Sequence, residues 1–319
     1  MSEEMKNPTE QLPLLKVHMM GSFFLEYGDQ PISFRKTMAT KSMRLLQIFL
    51  YNKDNGISRG RLLESTYGRE DVADAANSLR VGVHRLKRSL VEAGLPQFEY
   101  IYTQKGVYHW TSPMPVEVDA IDIKNKILEA GKETDEKARM DQMIEALELY
   151  TGEFLADFGE EEWVQAERAQ LKKVYSDALK EVSEYLLKNE EFDELQKLTS
   201  VASELYPFDE WQAVQMQALI GLERYKEAMK LYEQTSKHYF EELGVTPSEK
   251  LVEQYRYLGS RMGSRHRVIE EVQADLQESP GEKGGAFFCS LAGFRDCYRL
   301  VYRMSELNGQ MPWLMLCTI

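Results

Sequence analysis

Apolar and polar positions along the chain change their period several times. Residues 15–34, LKVHMMGSFFLEYGDQPISF, alternate in places and break at Gly28-Asp29, a dipeptide suited to a hairpin turn, so a small sheet is expected to open the fold. Helical spacing follows. Thr40–Tyr51 sets Leu45 against Phe49 and Leu46 against Leu50 at i,i+4, a second helix is expected near Ser58–Tyr67, and a third runs from about Ala75 to Ala93. Ser58 suits the N-cap of the second helix and Gly68 its C-terminal exit. YIYTQKGVYHW then places two strand-like runs around Gln104-Lys105-Gly106, a second hairpin.

From Val118 to roughly Met262 the pattern becomes helix after helix, with Gly152, Gly221 and Gly244 as expected breaks. An offset of 33 residues superposes Leu186 on Leu219, Phe192 on Tyr225, Glu194 on Glu227 and Leu198 on Leu231. That period fits a tetratricopeptide-like repeat, in which each helical hairpin buries its apolar face only by stacking on neighbours. Residues 263–284 are polar and interrupted by Gly and Pro, and read as a linker. Residues 285–319 offer strand-like AFFCSL, helical FRDCYRLVYRMSEL and strand-like PWLMLCTI, one βαβ unit. Alone it leaves apolar strand edges unpaired, which implies either a truncated larger chain or pairing between protomers.

Charge is unevenly spread. The net charge is -13, yet Lys16 to Trp110 carries 14 basic and 9 acidic residues, leaving a basic head of +5 on a body of -18. Phosphate neutralisation depends on where the cations lie, so the total does not exclude nucleic acid. The N-terminus MSEEMKNPTEQ has no signal-like apolar stretch and no run approaches a membrane span, so a cytoplasmic protein without a membrane partner is expected. Cys289, Cys297 and Cys317 fall in no zinc-binding spacing and are expected to be reduced core residues.

On a helix of about 100° per residue, Leu79, Val83, Leu86 and Leu90 fall within about 40° of one another and face a core. Asn77, Ser78, Val81, Arg85 and Arg88 cluster opposite, flanked by Arg80, His84 and Lys87. Such a face suits a major groove: Arg pairs bidentately with guanine, Ser meets donors or acceptors, and Val touches a thymine methyl. A solvated basic helix would look the same taken alone. The order of sheet, three helices and a hairpin bearing Lys105 adds the context of a winged helix-turn-helix over residues 14–112. The wing is expected to close its core before Pro113 and Pro115 open a linker, so that residues 1–112 fold alone and bind duplex DNA.

NSLRVGVHRLKRSL followed by YIYTQKGVYHW resembles the DNA-binding domain of the OmpR/PhoB class, specifically that of the Streptomyces antibiotic regulatory protein family. VDAIDIKNKI, ALELYTGEFL, EEWVQAERAQL and LIGLERYKEAMKLYEQTSKHYFEELGVTPS resemble the bacterial transcriptional activator domain that follows it, and together these motifs cover about residues 14–258. The resemblance implies a mixed, predominantly α fold: the winged helix, a tetratricopeptide-like domain over 116–262, then the short βαβ fragment. It implies a sequence-specific transcription regulator, an activator, in which Ser78, Val81 and Arg85 point at bases while Asn77, His84, Lys87 and Arg88 lie near phosphates. Arg59 and Lys105 add backbone contacts, and Arg61 reads as a solvated helix start. Gly82 departs from the family pattern, where a larger polar residue often touches the backbone; one phosphate contact fewer is implied, and glycine within a helix costs roughly 1 kcal/mol relative to Ala.

Other features point to no chemistry. Glu160-Glu161-Glu162 before Trp163 is the acidic first turn of a helix rather than a pair of catalytic carboxylates. His18, His109, His238 and His266 stand isolated, and no Gly-rich loop precedes a lysine in phosphate-binding form. No enzyme, cofactor or metal is expected. The recurrent tyrosines 150, 175, 185, 206, 225, 232 and 239 either pack repeats together or line a peptide groove. The helical domain is expected to form a homodimer or recruit a partner such as RNA polymerase. The competing class is a helical-repeat interaction scaffold whose winged helix has lost DNA affinity. The last unit weakly resembles the start of a diguanylate-cyclase-like domain but lacks its GGDEF signature.

Overall fold

Period-two burial sets the first sheet. β1 (Leu15–His18) and β2 (Phe24–Tyr27) pair antiparallel with Leu15 opposite Tyr27, burying Leu15, Val17 and Leu25 while Lys16 and Phe24 face out. β3 (Gln30–Ile32) returns through the two-residue turn at Gly28-Asp29. Three strands therefore replace the single expected hairpin, because Gly21, at φ 88, turns the chain between β1 and β2. This structure is a computed structural model and describes residues 12–34, 40–68, 74–158, 161–263 and 297–303.

The fourth strand comes from beyond the prolines. β7 (Val116–Val118) pairs parallel to β1, Leu15 opposite Val116, giving the order β3-β2-β1-β7. Pro115 has no N–H to give, but its carbonyl accepts from Leu15 N–H at 3.0 Å. The segment read as a linker is thus a sheet strand. Just past it, Asp119 opens α4 (Asp119–Ala130) and accepts from the N–H groups of Met19, at 2.8 Å, and Met20, at 3.0 Å. Burial raises the pKa of this carboxyl, and the N–H donors only partly oppose it.

α1 (Thr40–Tyr51) buries Leu45, Leu46, Phe49 and Leu50 together. β4 (Ile57–Ser58) leads into α2 (Arg59–Tyr67), whose cap forms as expected: the Ser58 hydroxyl accepts from Arg61 N–H at 3.3 Å. α3 (Ala75–Glu92) follows, then the wing strands β5 (Ile101–Gln104) and β6 (Val107–Trp110), which complete a second sheet of order β4-β6-β5. Gly56 has to be glycine here. Its φ is 68, and a β-carbon would lie 2.6 Å from the His109 ring and 3.0 Å from the Tyr108 carbonyl.

α4, α5 (Glu136–Glu148) and most of α6 (Glu162–Lys188) belong to the same compact unit as both sheets; the division of the chain falls between Tyr185 and Leu186, inside α6. The first sheet is tied to the segment before α6. Met20 bridges Phe154, Leu155 N–H donates to Met19 carbonyl at 2.7 Å, and a β-carbon on Gly152 would come within 2.8 Å of Gly21 Cα. Phe154 in turn packs against Tyr51 and edge-on to Trp163.

The second unit holds α7 (Phe192–Leu205), α8 (Trp211–Gly221), α9 (Tyr225–Leu243) and α10 (Glu249–Gly263). Here the 33-residue repeat extends to the backbone. Glu190 and Glu223 both adopt positive φ, 58 and 56, and Glu191 N–H to Leu186 carbonyl is repeated by Arg224 N–H to Leu219 carbonyl. Phe192 and Tyr225 each start the second helix of a hairpin. Of the recurrent tyrosines, 150, 175, 206, 232 and 239 are buried, so packing claims most of the series. Gly244 caps α9 in the left-handed conformation.

Beyond Gly263 the expected linker lies outside the described residues, as do both strands of the C-terminal βαβ unit, Cys289 and Cys317. Residues 297–303 are helical, and Cys297 is free and exposed rather than in a core. Among the described residues no helix is long and apolar enough to cross a membrane.

Candidate nucleic-acid interface

α3 is built to present one face. Asp74 caps it by accepting from Asn77 N–H at 2.9 Å, which satisfies one of the free donors of the first turn. At the other end Gly94, at φ 106, donates to Val91 carbonyl while Leu95 N–H reaches Leu90 carbonyl, the paired bonds of a Schellman stop with Leu95 and Leu90 both buried. Between the caps Leu79, Val83, Leu86 and Leu90 are buried. Gly82 lies on the edge of this inward face, where a β-carbon would sit 3.0 Å from Leu45 Cδ1 and 3.5 Å from the Tyr67 hydroxyl. The departure from the family pattern thus has a packing reason: glycine lets α3 approach α1 and α2.

The opposite face is open. Asn77, Val81, His84, Arg85 and Arg88 are exposed, and Ser78 and Lys87 are half-buried. Val81 keeps 40% of its surface, which leaves an apolar contact among the polar and basic side chains of this face. The cations differ in their state. Arg80, His84 and Arg85 make no ion pair among the described residues, whereas Lys87 is paired with Glu99 and Arg88 with Glu92 at 2.7 Å.

The wing adds a second positive element. Residues 105 and 106 close its two-residue turn with φ 50 and 79, the double positive that a type I′ hairpin requires, and Lys105 is exposed at the tip. Gly106 carbonyl accepts from Arg59 N–H at 3.0 Å, which ties the wing tip to the start of α2. Tyr102 and His109 stack across the wing at 5.1 Å. Arg59 and Arg61 are both exposed.

Two acidic residues at this surface went unread in the sequence. Arg88 and Glu92 stand at i,i+4, a spacing that signals a helix pair. Lys87 and Glu99 lie 12 residues apart across the end of a helix, and no sequence pattern reports that pair. Among the described residues no cluster of His, Cys, Asp or Glu is arranged to hold a metal ion. Glu161 is paired with Arg44, and Glu162 begins α6.

Residues 35–107 match the family described as "Transcriptional regulatory protein, C terminal", and residues 122–258 match the "Bacterial transcriptional activator domain". Among solved structures the chain is similar to Mycobacterium tuberculosis EmbR in complex with a low affinity phosphopeptide. The TM-score is 0.50 at 15% identity, covering 82% of this chain and 68% of that one, a likeness of fold. No curated protein matches the chain in sequence.

Proposed function

Since the chain belongs to the bacterial transcription regulators that join an OmpR/PhoB-type winged helix to a bacterial transcriptional activator domain, we propose that it reads an operator with α3 in the major groove. DNA binding in transcription control is the activity of that domain pair, which is a regulator's and not an enzyme's. In our reading Ser78, Val81 and Arg85 contact bases. Asn77, His84, Lys87, Arg88, Arg59 and Lys105 contact the phosphate backbone, with α2 and the wing flanking the groove.

The observation that carries this reading is the division of α3. Four apolar side chains lock one face to α1 and α2, while the other carries unpaired Arg85 beside exposed Val81. The exposed valine gives this cationic face an apolar contact suited to a thymine methyl. The helical domain is proposed to serve self-association or recruitment of RNA polymerase, and the site of action is then the cytoplasm.

The full chain, titrated against duplex DNA at increasing salt, is expected to bind with an affinity that falls steeply, and selection from a randomised duplex pool to return a defined site. Binding with no sequence preference, or none at all, would leave the interaction-scaffold reading in its place.

A further inference from the structure

Lys87 and Arg88 lie on the face proposed to meet DNA, yet each is held by a carboxylate of its own chain. Glu92 is the weaker case, an i,i+4 partner to an arginine that is 77% exposed. Glu99 is different, because packing fixes the backbone at both ends of its pair while its own side chain stays 69% exposed. Lys87 follows buried Leu86 on α3. Glu99 precedes Tyr100, which is fully buried, donates its hydroxyl to Pro96 carbonyl at 2.8 Å, accepts from Thr111 N–H through its backbone carbonyl at 2.9 Å and packs its ring at a tilt against Trp110 at 5.4 Å. The Schellman stop at Gly94 and Leu95 anchors the other end of the same short segment. The two backbones therefore hold the carboxylate within reach of the ammonium.

We infer that Glu99 is a positioning residue for DNA affinity: it competes with backbone phosphate for Lys87 and so weakens the sequence-independent part of binding. The inference rests on the reading of α3 as the DNA-facing helix. A lysine free in solution carries an anion-attracting charge to the duplex and displaces about one condensed counterion when it meets a phosphate. A lysine already neutralised brings no net charge. If it exchanges partners, the abandoned carboxylate is left facing a phosphate of like sign. Arg80, His84 and Arg85 carry no such partner among the described residues, so the restraint falls on Lys87 and Arg88 and spares Arg85.

The test uses the full chain and a mixed-sequence duplex of about 30 base pairs, followed by fluorescence anisotropy from about 50 to 200 mM KCl. Glu99→Gln is expected to bind more tightly at the low-salt end. Its plot of log affinity against log salt should steepen by about 0.9, so that it loses about 3.5-fold more affinity than wild type across that range. In a Lys87→Gln background Glu99→Gln should change neither quantity, and circular dichroism checks that all variants are folded. Wild-type binding with an unchanged slope in Glu99→Gln overturns the inference and leaves the DNA-reading function standing. A gain that persists without Lys87 also overturns it, since total charge would then account for the effect. Failure of every protein to bind at any salt overturns the reading beneath it.

Discussion

Tyr51, the last residue of α1, donates a 2.6 Å hydrogen bond to Glu167 of α6, a partner 116 residues away in sequence. Lys124 of α4 closes the group, donating to the Tyr51 oxygen and to Glu167 at 2.7 Å each. The winged-helix core and the first helices of the activator domain thus share a polar junction. Tyr51→Phe keeps the ring packing against Phe154 and removes the hydroxyl. It should lower stability by about 1.5–3 kcal/mol in urea unfolding, the usual net worth of a hydrogen bond to a charged group. Glu167→Ala should cost more, because it strips Tyr51 and Lys124 of their acceptor together.

Stability should fall at alkaline pH. Burial first, and Glu167 second, raises the Tyr51 pKa; burial pushes Tyr100 up to about 12. The native state then keeps these protons where the unfolded chain loses them, so the two phenols' contribution to stability is flat below the ordinary tyrosine value of 10.0 and declines as pH rises past it. Denaturant midpoints measured across this range should show that decline, reduced in Tyr51→Phe. A midpoint that stays level to pH 11 would contradict the burial of both phenols.

A fragment ending at residue 112 should be far less stable than one ending at 185. The cut removes β7 from β1 and takes away Asp119, leaving the N–H groups of Met19 and Met20 without their acceptor. The freed N–H groups turn to water, and re-exposing the apolar Met19 and Met20 side chains, each worth about 1.5–3 kcal/mol when buried, carries the loss. Thermal unfolding of the two fragments tests this, and equal melting temperatures would refute it.

The sequence carried the helices well because their signals are local. Ser58, Leu45 with Phe49, and the 79, 83, 86, 90 series each report a neighbour within one or two turns, and α3 emerged within a residue of its expected ends. β7 escaped notice for the opposite reason: its three residues sit behind two prolines, and their partner lies about 100 positions earlier. Distance along the chain also hid the Met20–Phe154 bridge, whereas the Lys87–Glu99 pair, 12 residues apart, crosses a helix end where no periodic spacing applies. At the candidate interface the exposed residues could be read from helical phase alone, but which cations are free and which are neutralised depends on tertiary neighbours.

Arg85→Ala should weaken binding to the selected operator by about 1–3 kcal/mol and relax preference at one base pair, with no change in melting temperature. Leu86→Ala, by contrast, removes a fully buried side chain and should destabilise the fold by about 2–5 kcal/mol, with DNA binding lost only as the protein unfolds. Randomised-site selection beside calorimetry separates the two. Unaltered selectivity in Arg85→Ala would place the base-reading face elsewhere.

Gly221→Ala should disturb the helical repeat. A β-carbon there would lie 2.6 Å from the Phe192 ring, and overpacking of this kind costs about 1–3 kcal/mol. The paired change Gly221→Ala with Phe192→Leu should recover part of the loss in urea unfolding. No recovery would mean that the ring is not what the glycine accommodates.

The bond between Arg59 N–H and Gly106 carbonyl joins the start of α2 to the tip of the wing, and β4 continues that link into the sheet through Ile57 and Tyr108. The wing is therefore no loose finger that must be frozen on encounter. Its main chain and that of α2 form one preorganised rim whose ordering entropy was spent during folding, so that in the proposed docking Lys105 and Arg59 would lose only side-chain freedom on meeting a duplex.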